Sequence, residues 1–130
     1  MLLCDVDDLR EVNNTFDHLD GDAALAAVAA AFRAELRPYD LCARFGGDEF
    51  LVVLPETGEE EAVSVAGRIQ DWLVGHRLPT REGGMLAVSV SLGVGSLREG
   101  DPELGSMIAR ADAAMYEEKR TGTRSFLAVA

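Results

Sequence analysis

Residues 41–54 read LCARFGGDEFLVVL, and the quartet Gly46–Glu49 in it lies between two apolar runs. The runs predict strands at about 41–46 and 49–55, because a Gly-Gly pair between strand-like runs is a strong signal for a tight hairpin turn. The second run is apolar on both faces, which predicts a central strand. We therefore expect the chain to be organised around a hairpin with two acids at its tip.

The tip of this hairpin would hold Asp48 and Glu49 in the open. Adjacent carboxylates on a rigid turn suit Mg²⁺ and the phosphates that it carries, and Gly46 and Gly47 would let a ligand come close to the backbone. The same residues also fit a solvated acidic turn that binds nothing. The hairpin by itself leaves both interpretations open.

Composition bounds the class of protein. A chain of 130 residues, 48% of them hydrophobic, is expected to form one globular domain. Its 23 acids against 12 bases give a net charge of −11, which disfavours binding to a nucleic-acid backbone. No apolar run approaches the roughly 18 residues of a membrane helix, and Met1–Leu3 lacks the basic flank and length of a signal peptide. We therefore expect a cytoplasmic domain with no membrane contact.

The N-terminal half predicts alternating strands and helices around the hairpin. Met1–Val6 is an apolar run that ends in acids, and residues 8–16 are expected to form a short helix. Asp20 is the expected N-cap of a longer helix, and Thr57 with Glu60 matches a capping box at the start of the next one. The two cysteines of the chain lie in strand-like runs without metal-ligand spacing, so both are expected to be buried free thiols.

The C-terminal half continues the alternation. Residues 76–85 predict a loop, 86–94 alternate as a half-buried strand does, and 125–129 predict a last short strand. Asp101 and Pro102 predict the start of a last helix. The apolar stripe of that helix is Leu104, Met107, Ile108, Ala111 and Met115. The whole order predicts an α+β fold with helices packed on a mostly antiparallel sheet of about five strands.

Two acids that are distant in sequence could form one site. If the first strand lies beside the hairpin, Asp5 at its end would face Asp48, and the two carboxylates with triphosphate oxygens would hold Mg²⁺. Asp5 and Asp7 could instead cap the following helix. The position of the first strand in the sheet therefore decides between a metal site and a helix cap.

Phosphate binding would depend on groups other than a glycine-rich loop. Neither Gly-x-x-x-x-Gly-Lys nor Gly-x-Gly-x-x-Gly occurs in the chain. The turn after Asp7 offers the backbone N–H groups of Asp8, Leu9 and Arg10. The side chains of Arg10 and Lys119 could add positive charge.

The hairpin and its spaced partners resemble the signature of the GGDEF family, the diguanylate cyclases that join two GTP into cyclic di-GMP. The resemblance covers nearly the whole chain, because several further residues fall where the pattern of the family puts them: Asp5-Val6-Asp7, Asn13, Asp22, Arg37 with Asp40, and Lys119. It implies a ferredoxin-like core akin to the palm of nucleotidyl cyclases. It also implies release of pyrophosphate and a two-fold homodimer with one GTP in each subunit.

The resemblance assigns the catalytic residues. Mg²⁺ or Mn²⁺ would be held by Asp5, the Val6 carbonyl, Asp48 and Glu49, and the two hairpin acids would also act in catalysis together with Arg10. The triphosphate would be bound by the turn at 8–10, by Lys119 and by the hairpin glycines.

Two further sites are implied by the resemblance. Asn13 and Asp22 would read guanine, whose N–H groups a carboxylate can accept. Arg37, Asp40 and Arg68 match an inhibitory site for the cyclic product, since arginine can both pair with phosphate and stack on guanine. Taken singly, these residues also fit ordinary roles: a surface Asn, a first-turn Asp, and an arginine at a helix end.

Some features favour other interpretations. Thr123 stands where the family commonly has a phosphate-contacting arginine, and the helix and loop that usually precede the first strand are absent. A GGDEF module without turnover, which senses GTP or cyclic di-GMP, is therefore the alternative to an enzyme. A fragment of a polymerase palm is disfavoured by the acidic charge. We expect upstream sensory or regulatory domains in a longer protein.

Overall fold

The computed structural model of the chain describes residues 1–7, 18–80, 83–122 and 124–127. The helix predicted over 8–16 lies outside these residues. Within them the elements are, in chain order, β1 (Leu2–Val6), α1 (His18–Glu35), β2 (Leu41–Arg44), β3 (Glu49–Val53), α2 (Glu59–Val74), β4 (Leu78–Pro79), β5 (Met85–Leu86), β6 (Val90–Val94) and α3 (Leu104–Thr121).

The predicted hairpin, β2 with β3, forms one side of a four-stranded sheet in the order β2-β3-β1-β6. Every neighbouring pair is antiparallel, and β3 is a central strand as expected. In the register of β1, Asp5 lies opposite Glu49 on β3 and opposite Ser91 on β6. The α+β class and the antiparallel sheet are therefore confirmed, and the first strand lies beside the hairpin.

Helices cover both faces of the sheet. On one face α1 and α2 pack on inward side chains such as Cys4 and Val52. On the other face Ala111 and Met115 of α3 pack on Leu3. Because successive residues of a strand point to opposite faces, Asp5 lies on the α3 face with Leu3.

The backbone of α3 lies almost against β6. A Cβ atom added at Gly93 would stand 1.9 Å from the carbonyl oxygen of Ala111, and one added at Gly95 would stand 2.2 Å from that of Met107. Only glycine allows this approach. It places α3 across β6 and β1, so that the C-terminal turns of the helix reach Asp5.

The strand predicted at 125–129 is much shorter in its described part. Leu127 forms a single parallel bridge with Val94, and the Val94 N–H donates to the Phe126 carbonyl at 2.6 Å. Among the described residues the sheet therefore has four strands, and Leu127 adds one bridge at its edge. The remaining outer edge of β6 is closed in another way.

Side chains from two helices close this edge. Gln70 of α2 donates from its amide nitrogen to the Val90 carbonyl at 3.0 Å, and the Leu92 N–H donates to Oε1 of Glu118 on α3 at 3.3 Å. Gln70 also donates to the same oxygen of Glu118. Both side chains are buried, so they supply the bonds that a fifth strand would have made.

Burial raises the pKa of Glu118 to about 6, against the lowering effect of its bonds to Gln70 and the Leu92 N–H. Asp7 raises the pKa further and Arg124 lowers it. Because the folded protein favours the protonated form, the contribution of Glu118 to stability is complete below its ordinary pKa of 4.5 and declines as the pH rises through 6.

A Glu118→Gln variant cannot titrate, so its stability should lack this decline. We expect its melting temperature to rise relative to that of the parent by about 5 °C between pH 4.5 and pH 7.5. Thermal unfolding followed by circular dichroism measures this difference, with Glu117→Gln on the same helix as the control. A difference that stays constant over this pH range would contradict the prediction.

The expected helix caps are wrong. Asp20 lies within the first turn of α1 and is buried. The N-cap of α2 is Gly58 without a side-chain bond, because the Thr57 hydroxyl donates to the Pro55 carbonyl instead. The N-cap of α3 is Glu103, because the Asp101 carboxylate is occupied by Arg98 and Arg110.

Three other expectations also fail. Residues 76–85 contain β4, which pairs with β5, so the predicted strand over 86–94 is broken into two. Cys42 is exposed, because β2 is an edge strand, whereas Cys4 is buried as predicted. In the stripe of α3, Leu104 and Ile108 are exposed, because the row that faces β6 is Met107, Ala111 and Met115 and these two residues lie on the neighbouring row of the helix.

None of the helices in the described part of the chain has a stretch that is both long and apolar enough to cross a membrane.

Candidate functional site

The acidic hairpin tip is a compact loop that is tied to its own strands. The N–H groups of Phe45 and Gly46 both donate to the Glu49 carbonyl, at 2.8 and 3.3 Å. The Arg44 guanidinium donates to the carbonyls of Gly46 and Gly47, at 3.2 and 2.6 Å. The tip therefore holds Asp48 and Glu49 at a fixed place beside the sheet.

Three carboxylates meet at the end of β1. Asp5 is the partner of Glu49 in the β1–β3 ladder, and the ladder continues where the Val6 N–H donates to the Asp48 carbonyl at 2.8 Å. Asp5 is buried, whereas Asp48 and Glu49 are half-buried. The structure thus brings together the acids from two distant parts of the sequence.

A lysine stands among these acids. The ammonium group of Lys119 on α3 lies 2.7 Å from Oδ2 of Asp5. This bond raises the pKa of Lys119, and Asp7 and Asp48 raise it further. Lys119 is therefore held in its charged form at the centre of the acidic corner.

The carboxylates repel each other in a partly desolvated place. Burial raises the pKa of Asp5, and the proximity of Asp48 raises it further, while Lys119 lowers it. Burial also raises the pKa of Glu49, and the charges of Asp5 and Asp48 add to this effect. The charged forms of Asp5 and Glu49 are therefore disfavoured in the absence of a cation, and a bound cation would stabilise them.

The donor atoms of this corner suit a hard divalent cation. Oδ1 of Asp5 is buried and has no hydrogen-bond partner within the described ranges. Carboxylate oxygens with a backbone carbonyl such as that of Val6 are the ligands that Mg²⁺ prefers. As the side chains lie, no three His, Cys, Asp or Glu residues of the described chain form a ligating group. The donor atoms therefore suit Mg²⁺ by their chemistry. In the structure the ammonium group of Lys119 provides the positive charge beside Asp5.

Among the described residues, Asp7 accepts hydrogen bonds from two serines. The hydroxyl of Ser91 donates to Oδ1 of Asp7 at 2.7 Å, and that of Ser89 donates to Oδ2 at 3.1 Å. Asp7 is therefore fixed against β6. The two serines were missed in the sequence because hydroxyls on an alternating strand carry no signal of their partner.

Several predicted site residues lie outside the described part of the chain: Asp8, Leu9, Arg10, Asn13 and Thr123. Asp22 is described and is exposed on the first turns of α1. Asn13, its predicted partner in base recognition, lies outside the described residues, so the pairing of the two stays a prediction.

The predicted inhibitory pair forms a compact unit. The Arg37 guanidinium donates to both oxygens of Asp40 at 3.2 and 3.0 Å, and it also donates to the Thr57 hydroxyl at 2.6 Å. The ring of Tyr39 lies 4.6 Å from the guanidinium. Although burial opposes it, Arg37 holds the pKa of Asp40 below its usual range. The sequence did not indicate the contributions of Thr57 and Tyr39.

The third member of the predicted inhibitory site is bonded elsewhere. Arg68 on α2 pairs with Glu35 at 3.1 Å and donates to the Ser64 hydroxyl at 3.1 Å. Beside Arg37 lies an open groove with a volume of ≈ 610 Å³, which is in the size class of small-ligand sites. Arg33 and Arg44 line it. Three arginines therefore face one groove in a chain of net charge −11.

An antiparallel sheet with helices on both faces, and with acids from two adjacent strands at one corner, is the palm fold of nucleotidyl cyclases. Residues 1–125 match the family model described as "Diguanylate cyclase, GGDEF domain". The chain belongs to the GGDEF family, and its fold is that of the GGDEF domains.

Similar proteins agree with this assignment. The chain is 38% identical over 122 residues to diguanylate cyclase DosC of Escherichia coli, a match that covers 94% of the chain and 26% of DosC. It spans only about a quarter of the length of that relative.

Two solved structures have the same fold. The GGDEF domain of DgcB from Caulobacter crescentus in complex with c-di-GMP has a TM-score of 0.88 at 29% identity, covering 98% of this chain and 75% of that one. Diguanylate cyclase SiaD of Pseudomonas aeruginosa in complex with its activator SiaC has a TM-score of 0.84 at 39% identity, covering 93% and 46%.

Proposed function

We propose that this chain is a diguanylate cyclase domain that condenses two GTP molecules into cyclic di-GMP and releases two pyrophosphates. The observation that carries the proposal is the meeting of Asp5, Asp48 and Glu49 beside Lys119. The acids come from β1 and from the hairpin beside it, and the raised pKa values of Asp5 and Glu49 favour a bound cation. Membership of the family and the named cyclases among its relatives support the same activity.

The acids would hold a divalent ion, Mg²⁺ or Mn²⁺, with the Val6 carbonyl as a further ligand. When bound, such an ion supplies positive charge to the reacting phosphates. Lys119 and Arg10 would add positive charge at the triphosphate, and the N–H groups of residues 8–10 would bind its oxygens. Asp48, Glu49 and Arg10 are the residues to which we assign catalysis.

The glycines of the hairpin support a nucleotide at the tip. A Cβ atom added at Gly47 would meet nothing within 4 Å, and one added at Gly46 would make only ordinary contacts with Glu49. Neither glycine has a positive φ angle. Since the chain itself does not require glycine here, we infer that the space serves a bound phosphate or ribose.

The proposed product requires two active sites that face each other, because its two linkages are identical. We therefore propose a two-fold homodimer with one GTP in each subunit. The test is to incubate the protein with GTP and Mg²⁺ and to measure cyclic di-GMP by chromatography at several protein concentrations. Activity per mole should rise with concentration, and a protein that forms no product at any concentration is not a cyclase.

A second candidate is a module that binds GTP or cyclic di-GMP without turnover. The contact of Lys119 with Asp5 favours it, since an ammonium group then takes an oxygen that a metal ion would need. Thr123, in the place of an arginine, also favours it. Tight nucleotide binding by calorimetry without product formation would support this candidate over the enzyme.

Asp22 is proposed to read guanine together with Asn13. Asp22→Asn replaces one acceptor oxygen by a donor that would face the N–H groups of guanine. We expect GTP affinity to fall about 10-fold or more, with a smaller change for ATP. Calorimetric titration of both nucleotides measures this, and equal GTP affinity of parent and variant would exclude the role.

Arg37, Asp40 and Arg68 are proposed to bind the cyclic product as an inhibitor. Arg37→Ala should weaken cyclic di-GMP binding about 10-fold or more and reduce the inhibition of the cyclase by added product. Calorimetry and the ratio of rates with and without product measure these effects.

Thr57→Val is the matched control for this variant. It removes the internal bond to Arg37 but keeps the guanidinium. If Arg37→Ala and the parent bind product equally well, the site is structural only.

We also propose that a regulatory domain or partner protein controls this domain. The much longer relatives and the complex of SiaD with its activator support this proposal. A cytoplasmic location, where GTP is available, agrees with the proposed substrate.

A further inference from the structure

Gln70 and Glu118 form a polar pair at the open edge of β6 that the proposed reaction does not use. Their bonds to the Val90 carbonyl and the Leu92 N–H join three elements: α2, α3 and β6. Both side chains are more than nine-tenths buried. Because directional bonds in a buried place tolerate little displacement, the pair fixes α3 against the strand.

The next residue of the helix reaches the proposed active site. Glu118 contacts β6 through Leu92, while Lys119 contacts Asp5 on the adjacent strand β1. Successive residues of an α-helix point about 100° apart, so one rotation of α3 sets both contacts. A change in the rotation or height of the helix at Glu118 would therefore move Lys119 away from Asp5.

The backbone of α3 packs on glycines of β6, while its apolar side chains Ala111 and Met115 pack on Leu3 of β1. The helix lies on Gly93 and Gly95, which have no side chains to interlock with it. A smooth glycine surface allows a close approach but gives little resistance to sliding along the strand. The polar pair adds directional bonds to β6 that this glycine surface lacks.

We propose that Gln70 and Glu118 are positioning residues, which hold α3 at the rotation and height where Lys119 meets Asp5. The position of Lys119 beside Asp5 does not depend on any reaction, whereas the expected effect on GTP binding rests on the proposed function. Loss of the pair should release Lys119 from Asp5 in the protein without nucleotide. With GTP, it should weaken the binding of the triphosphate.

Lys119 is the only lysine of the chain, which makes its release measurable. The bond at 2.7 Å holds the amine against the Asp5 carboxylate, so an acylating reagent should reach it more slowly than it reaches a released side chain. The rate of Lys119 acetylation by a water-soluble acetyl ester is read by mass spectrometry without nucleotide or metal. Free Nα-acetyl-lysine in the same tube is the reference amine.

Five variants distinguish positioning from general loosening. Glu118→Ala and Gln70→Met should acetylate several-fold faster than the parent, because Lys119 is then released from Asp5. Glu118→Gln keeps an acceptor for the Leu92 N–H and should stay within about twofold of the parent. Glu117→Ala, on the same turn but paired with Arg120, should also stay there.

Val65→Ala controls for stability, because it removes core volume on the other face of the sheet. It should leave the acetylation rate near that of the parent. The proposal is overturned if Glu118→Ala and Gln70→Met react no faster than Glu117→Ala, or if Val65→Ala reacts as fast as they do. If Glu118→Ala does not fold, Gln70→Met decides the same question.

A double-mutant cycle tests the consequence for GTP. Glu118→Ala should raise the KM for GTP several-fold in the parent and cause no further rise in a Lys119→Ala background, because it acts through that residue. Additive effects in the cycle would overturn the link to Lys119. A parent that makes no cyclic di-GMP overturns the proposed function alone, since the acetylation rates still decide the position of Lys119.

Discussion

Asp48→Ala is expected to reduce the formation of cyclic di-GMP by about 10³-fold while the protein stays folded. The Asp48 side chain is one of three carboxylates at the proposed metal site, and its removal takes away a ligand. The fold should survive, because the contact of this residue with β1 is made by its carbonyl, which alanine retains. Chromatography of the product and circular dichroism measure the two effects.

Asp112→Ala is the matched control for the loss of one negative charge. Asp112 is exposed on α3, and its charge reaches Glu49, but it lies outside the hairpin. We expect its activity to stay within a few-fold of the parent, since exposed charges interact weakly through water. Undiminished activity of Asp48→Ala would remove Asp48 from the proposed metal site.

Gly93→Ala is expected to destabilise the protein by about 3 kcal/mol or more, the largest effect on stability that the structure predicts. The added Cβ would lie 1.9 Å from the Ala111 carbonyl oxygen and 2.5 Å from the Met115 nitrogen. Both atoms belong to the backbone of α3, so they cannot turn aside as a side chain could. The whole helix must move outward, and Lys119 with it.

Gly67→Ala provides a control of opposite sign. Gly67 lies within α2, and an added Cβ there would meet nothing within 4 Å. Since alanine favours the helix over glycine, we expect stabilisation of about 0.5–1 kcal/mol. Urea unfolding of the two variants and the parent measures both effects. Equal stability of Gly93→Ala and the parent would mean that α3 does not lie as close to β6 as described.

The sequence predicted the fold wherever a pattern is local and periodic. The hairpin at Gly46–Glu49, the central position of β3 and the approach of Asp5 to the tip all follow from apolar runs that end at acids. Such runs determine which strands are buried and where they stop. The family resemblance added the proposed ligand, which periodicity alone does not give.

What the sequence did not predict depends on partners that are distant in the chain. Thr57 looks like a helix cap but bonds with Arg37, and Asp101 looks like one but pairs with Arg110. Gln70 and Glu118 come from different helices, so no spacing indicates that they close the edge of β6. The partner of a polar side chain depends on which groups the fold brings within hydrogen-bond distance, and no local sequence pattern encodes this.

The exposed thiol on β2 gives the protein a natural site for a spectroscopic label. Cys42 lies on the strand that leads into the hairpin, while burial makes the pKa of Cys4 high and its thiol unreactive. A nitroxide attached to Cys42 would therefore report on β2 and on the groove beside Arg37, which Cys42 lines. In the proposed dimer, two such labels would show dipolar coupling if the halves meet through their hairpins, and the distance distribution would give the separation of the two β2 strands with and without GTP.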